Sequence, residues 1–168
     1  MYDPRQRLIV ALDVSSAAAA QKIVAAVGES ASCYKVGMQL YTAEGPKVVR
    51  DLVASGRSVF LDLKYHDIPN TVAAAVCQAA ALGVSILTIH ASGGGKMMRA
   101  ATEAARTRSA TLMVLGVTVL TSLDDNDLDK LGVSRTGTRS GAAPGRASHR
   151  RWMPRRGRLR PRSLGVAQ

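Results

Sequence analysis

Val59-Phe60-Leu61-Asp62-Leu63-Lys64-Tyr65-His66-Asp67-Ile68-Pro69-Asn70-Thr71 places a strand, a charged pair and a helix start in immediate succession. Val59 to Lys64 reads as a β-strand. Strand alternation puts Asp62 and Lys64 on one face of it. Two charges on the inner face of an otherwise apolar strand are costly to desolvate, so they need partners or a chemical task. Asp67 follows three residues later, where the strand opens into a loop. Pro69 and Asn70 then begin a helix, where the N–H that proline lacks would be unpaired in any case.

The same strand-then-helix unit recurs on both sides of this stretch. Short apolar, β-favouring runs begin near Leu8, Cys33, Ser58, Ile86 and Leu112, at intervals of 25, 25, 28 and 26 residues. Ala-rich stretches with helical spacing follow each run, at about residues 15–27, 42–54, 69–82, 94–107 and 124–131. Ser15 or Ser16 can cap the first helix and Asp124 the last. Gly28, Gly56 and Gly83 stand where helices end. Strands apolar on both faces predict a parallel sheet covered by helices. A βα period near 25 residues predicts the (β/α)8 TIM-barrel family, whose eight units need ~200–250 residues. Five units are visible, so the expectation is a barrel fold truncated to about five βα units. A doubly wound open sheet is the alternative that the rhythm leaves open.

The rhythm stops at Val133. Residues 1–133 carry 13 Lys and Arg against 12 Asp and Glu; residues 134–168 carry 10 Arg and no acid. All but one unit of the formal net charge of +11 therefore belongs to the last segment. We divide the chain into a partial barrel domain, 1–133, and an Arg-rich tail, 134–168. The tail reads either as a disordered basic extension or as translation out of frame in a GC-rich gene. Cys33 and Cys77 lie in apolar segments with no paired spacing and no nearby His, the pattern of a reducing compartment. The start of the chain does not read as a signal peptide, and no segment reaches the ~18 apolar residues of a membrane span. The expected location is the cytoplasm.

In a barrel, chemistry gathers where the C-terminal ends of the strands meet the βα loops. Asp13 ends strand one, Lys35 sits on strand two, and Asp62 and Lys64 sit on strand three. His90 ends strand four; Thr121 and Ser122 are assigned to the end of strand five. Lys35, Asp62, Lys64 and Asp67 are expected to alternate in a network of two cations and two anions, each keeping its neighbours ionised. Taken singly, Asp13 or Lys35 reads first as part of an ordinary ion pair, and His90 as a satisfied core histidine. Taken singly, Thr121 and Ser122 read first as turn or cap residues for the helix starting at Asp124. The functional reading rests on so many such residues falling at the same end of successive strands.

Asp62-Leu63-Lys64-Tyr65-His66-Asp67-Ile68-Pro69-Asn70-Thr71 resembles the DxKxxDIPNT signature of orotidine 5′-phosphate decarboxylases of the bacterial type. Ala11-Leu12-Asp13, Tyr34-Lys35-Val36-Gly37-Met38-Gln39-Leu40, His90-Ala91-Ser92-Gly93-Gly94 and Val117-Thr118-Val119-Leu120-Thr121-Ser122 agree with it. The resemblance covers residues 7–133. It implies decarboxylation of orotidine 5′-phosphate to uridine 5′-phosphate in pyrimidine synthesis, with no cofactor and no metal. It also implies the site roles. Asp13 and Lys35 would bind the ribose hydroxyls, Asp62 would face the departing carboxylate, and Lys64 would protonate C6. Asp67, Ile68 and Thr71 would contribute to substrate binding, with Asp67 and Thr71 reaching across a homodimer interface. Thr121 and Ser122 would contact the pyrimidine. The family's phosphate-gripping loops lie beyond strand five and find no match after Val133, so the chain itself is expected to be weakly active or inactive.

Two further functional classes stay open at this point. Mg²⁺-dependent hexulose-phosphate synthases and keto-gulonate-phosphate decarboxylases share the Asp-x-Lys-x-x-Asp strand. They typically carry an acid where this chain has Lys35, and a cation there opposes a metal. A non-enzymatic truncation product would instead bind polyanions through its Arg residues, with steep salt dependence. It has no base-reading motif and few aromatics in the tail, so no specific nucleic acid is expected.

Overall fold

The computed structural model describes residue 5 and residues 8–133. The readings made of the Arg-rich tail lie outside the described residues. The chain divides into two compact units, the first ending at Leu120 and the second beginning at Thr121.

Five strands form the first unit's sheet: β1 (Ile9–Ala11), β2 (Cys33–Gly37), β3 (Ser58–Tyr65), β4 (Ile86–His90) and β5 (Met113–Val117). All neighbours are parallel, in the order β1-β2-β3-β4-β5. Each new strand adds beside the last, with no reversal. A doubly wound sheet switches direction around its first strand, so the sequential order excludes it and agrees with the barrel family.

Period-2 alternation makes the two faces of the sheet different. Tyr34, Val36, Val59, Leu61, Leu87 and Ile89 are buried. They pack with Val48, Val49 and Leu52, with Val72 and Val76, and with Met97, Ala101 and Ala105 in one cluster. Those partners come from α3 (Pro46–Ala54), α4 (Pro69–Ala81) and α5 (Gly94–Arg108). Small side chains such as Ala79, Ala101 and Ala105 are fully buried in it, which lets helices approach closely. Burying each large aliphatic side chain contributes about 1.5–3 kcal/mol. The opposite face takes the alternate positions: Ile9, Lys35, Phe60, Asp62, Ile86, Thr88, Met113 and Leu115 by register. Ile9, Met113 and Leu115 remain 45%, 55% and 38% exposed there.

The helix ends follow local chemistry. Ser16 takes extended backbone before α1 (Ala17–Val27), and its Oγ accepts from the Ala19 N–H at 3.3 Å. Pro69 opens α4 as expected. The single helix expected over 42–54 is instead two, α2 (Met38–Glu44) and α3, broken at Gly45. Pro46 cannot donate its N–H and disfavours helical backbone in the residue before it. Gly45 answers with φ 65°, outside any right-handed helix. In the second unit, α6 (Asp125–Lys130) starts with a reciprocal capping box between Asp124 and Asp127.

Candidate functional site

The C-terminal ends of β1 to β4 hold two ion pairs. In the first, Lys35 Nζ lies 2.6 Å from Asp13 Oδ1. Parallel register sets Ala11 beside Lys35, so a side chain just past the end of β1 reaches the β2 lysine. Gly37 lies against this pair: a Cβ there would stand in ordinary contact, 3.4 Å from Asp13 Oδ1 and 3.5 Å from Lys35 Nζ. In the second pair, Lys64 Nζ donates to both Asp62 oxygens at 2.9 Å. Both side chains of this pair are largely buried.

Simple alternation does not account for the second pair. Leu61 aligns with Leu87 and Tyr65 with Ile89, so Asp62, Leu63 and Lys64 stand opposite Thr88 alone. β3 therefore bulges at its charged residues. Lys64 has φ 52° and is the one described non-glycine residue with positive φ. The Thr88 hydroxyl occupies the gap. It accepts from the Lys64 backbone N–H at 3.0 Å and donates to Asp62 Oδ1 at 2.9 Å.

The four-charge network expected from the sequence takes a different form. Lys35 pairs with Asp13, and Lys64 with Asp62. Asp67 is exposed, and its Oδ1 accepts from the Ile68 N–H at 2.6 Å. It lies past the strand in the loop before α4, where the backbone N–H of the next residue is its donor. Ile68 is 67% exposed, and Thr71, in the first turn of α4, is exposed as well. Strand five is shorter than expected and ends at Val117. Thr121 and Ser122 are exposed residues in a turn of the second unit, before α6.

His90 ends β4 as expected, and its ring lies 5.3 Å from that of His66 at a 39° tilt. Burial holds the His90 pKa below its ordinary value, and the neighbouring His66 and Lys64 push it the same way. Among the described residues, no group of three or more His, Cys, Asp and Glu side chains is placed to hold a metal ion. No described helix is long and apolar enough to cross a membrane. Cys33 and Cys77 are free thiols. Thr88, Gly37 and His66 were not singled out from sequence. Thr88 did leave a trace, as the one polar residue inside the run Ile86-Leu87-Thr88-Ile89.

Chemically, the second pair offers an ammonium fixed beside a carboxylate at the mouth of a parallel sheet. Such an ammonium can stabilise a developing negative charge and deliver a proton to it.

Comparisons with known proteins give the family. The family model for "Orotidine 5'-phosphate decarboxylase / HUMPS family" matches residues 6–149. An orotidine 5′-phosphate decarboxylase of Laribacter hongkongensis is 52% identical over 126 residues, covering 75% of this chain and 52% of the relative. One from Idiomarina loihiensis is 47% identical over 130 residues, covering 77% and 56%. The crystal structure of orotidine 5′-phosphate decarboxylase from Lactobacillus acidophilus superposes with a TM-score of 0.68 at 37% identity, covering 76% of this chain and 59% of that one. The chain spans about half the length of the curated relatives it matches. By its matched residues and its sequentially ordered parallel strands, the chain belongs to the orotidine 5′-phosphate decarboxylase / HUMPS family.

Proposed function

We propose that this chain carries the proton-donating part of an orotidine 5′-phosphate decarboxylase site, acting on orotidine 5′-phosphate with Lys64 as the proton donor. The observation that carries this reading is Lys64 Nζ held 2.9 Å from both Asp62 oxygens, at the loop end of the strands. In the reaction, the bond between C6 and its carboxylate breaks. The electron pair stays on C6 and CO2 leaves. The Lys64 ammonium stabilises that pair and gives C6 a proton, forming uridine 5′-phosphate; solvent then reprotonates the amine. Asp62 holds the Lys64 ammonium in place with both carboxylate oxygens. Asp13 and Lys35 are assigned to the ribose hydroxyls. Thr121 and Ser122 are assigned to the pyrimidine. The protein works without a cofactor as electron sink, so fixed charges carry the stabilisation.

Exposed Ile68 and Asp67 support a further element of this reading. They leave the site on the loop before α4, open to a second protomer, and with Thr71 we assign them to a homodimeric enzyme. Lys35 in an ion pair with Asp13 disfavours the Mg²⁺-dependent members of the family, because a cation occupies the place of an acidic ligand.

The test uses a chimera in which residues 1–120 replace the matching part of the Laribacter hongkongensis enzyme. Uridylate formation is expected, unaffected by a chelator. Lys64→Ala should lower kcat by about 10²–10⁴-fold while nucleotide binding persists. A Lys64→Ala chimera that keeps a tenth of the parent kcat would show the role to be misassigned.

A further inference from the structure

We propose that Thr88 is a positioning residue for this reaction, its hydroxyl setting both the Lys64 backbone and the Asp62 carboxylate. The proposal rests on the reading of Asp62 and Lys64 as reacting groups and adds the residue that holds them.

Thr88 is the buried polar residue among the described residues, at 4% exposure. A hydroxyl has one hydrogen to give and lone pairs to accept with. The hydrogen goes to Asp62 Oδ1 at 2.9 Å, and a lone pair takes the Lys64 N–H at 3.0 Å. A single atom thus ties both members of the pair to β4, a strand that contributes neither of them.

The bulge explains why a hydroxyl is needed. Three β3 residues stand opposite one β4 residue, and the Lys64 N–H leaves the regular ladder. A buried backbone N–H without a partner is costly. Lys64 also holds φ 52°, a conformation that residues with a β-carbon rarely adopt. Such a backbone persists only where its surroundings over-determine it. Here the Thr88 hydroxyl supplies the bond that a main-chain carbonyl supplies elsewhere in the ladder. Its bond to Asp62 fixes one carboxylate oxygen, which then receives Lys64 Nζ at 2.9 Å. Valine would match threonine in shape and suit a strand equally well, but could make neither bond.

The experiment compares wild type, Thr88→Val and Thr88→Ser in the 168-residue chain. Amide hydrogen exchange is read residue by residue, at protein concentrations low enough to prevent association. Turnover of orotidine 5′-phosphate is measured on the same samples. The Lys64 amide should exchange about tenfold or more faster in Thr88→Val, with Leu87 and Ile89 unchanged, and return to the wild-type rate in Thr88→Ser. Where the wild type turns over, Thr88→Val should lower kcat by about 10- to 100-fold with KM little changed, and Thr88→Ser should restore it. Equal Lys64 exchange in wild type and Thr88→Val would overturn the proposal. So would equal acceleration along all of β4, which marks a merely structural role. If Thr88→Val does not fold, Thr88→Ala carries the same comparison. A wild-type chain that shows the exchange pattern but makes no uridylate supports the positioning role and counts instead against activity of this chain.

Discussion

Lys64 combines two unusual properties in one residue: an ammonium clamped by both oxygens of Asp62, and a left-handed backbone. The backbone conformation costs of order 1–2 kcal/mol for an L-residue. The bulge that imposes it also brings Lys64 onto the carboxylate, so local strain and the ion-pair geometry have one cause. His90 stands close enough to this pair for charge to matter. Burial, His66 and Lys64 all disfavour its protonated form, so it takes up a proton less readily folded than unfolded. The unfolded chain then binds the extra proton first as pH falls, and the fold loses stability. That contribution is intact above the ordinary value of 6.5 and is lost as pH drops through it toward the folded value. Urea unfolding midpoints of wild type should therefore fall between about pH 7 and pH 5 more steeply than those of His90→Asn. Parallel curves for the two proteins would remove His90 from the account.

Glycines with positive φ set where the elements stop. Gly45 separates α2 from α3 at φ 65°, and nothing lies within 4 Å of a Cβ built on it. Gly83 follows α4 at φ 81°, but a Cβ there would stand 3.0 Å from Val53 Cγ1. Gly45→Ala should thus cost only the backbone term, about 1–2 kcal/mol, and Gly83→Ala should cost more, because a side chain of α3 must also give way. Chemical denaturation of the two variants measures the difference. Equal losses would mean that Val53 relaxes freely.

Among the described residues of the first unit, the sheet is well covered by helices on one face and exposes large apolar side chains on the other. Ile9, Met113 and Leu115 expose large apolar side chains among the described residues. β1 and β5 are the edges of the five-stranded sheet. An unpaired edge beside an apolar face is a template for another chain. The 168-residue protein should bind an apolar dye and self-associate with rising concentration, and we expect it to turn over substrate weakly or not at all. Met113→Lys combined with Leu115→Lys should lower dye binding and association, while changing stability by no more than about 0.5 kcal/mol per site. Dye binding that is unchanged in the double variant would place the association surface elsewhere. A monodisperse chain with turnover like that of its full-length relatives would refute the expectation of weak activity.

The starts of the strands were legible because periodic patterning is local. Runs expected near Cys33, Ser58 and Ile86 begin at those residues, and those near Leu8 and Leu112 begin one residue later. Ser16, Pro69 and Asp124 announced helix starts through side-chain and backbone chemistry that acts within one turn. The charged residues Asp13, Lys35, Asp62 and Lys64 were legible as candidates because charge on or at the end of an apolar strand is conspicuous. Which charge meets which was not. Pairing of Asp13 with Lys35 depends on the register between β1 and β2. Strand order, which separates the barrel family from a doubly wound sheet, is likewise a property of contacts between distant segments. The part played by Thr88 follows from a bulge that exists only where β3 meets β4. Nothing in the local preference of lysine leads to φ 52°. Pairing with a strand more than twenty residues away imposes it, so local sequence specified the elements and the candidate charges while tertiary contact decided their geometry.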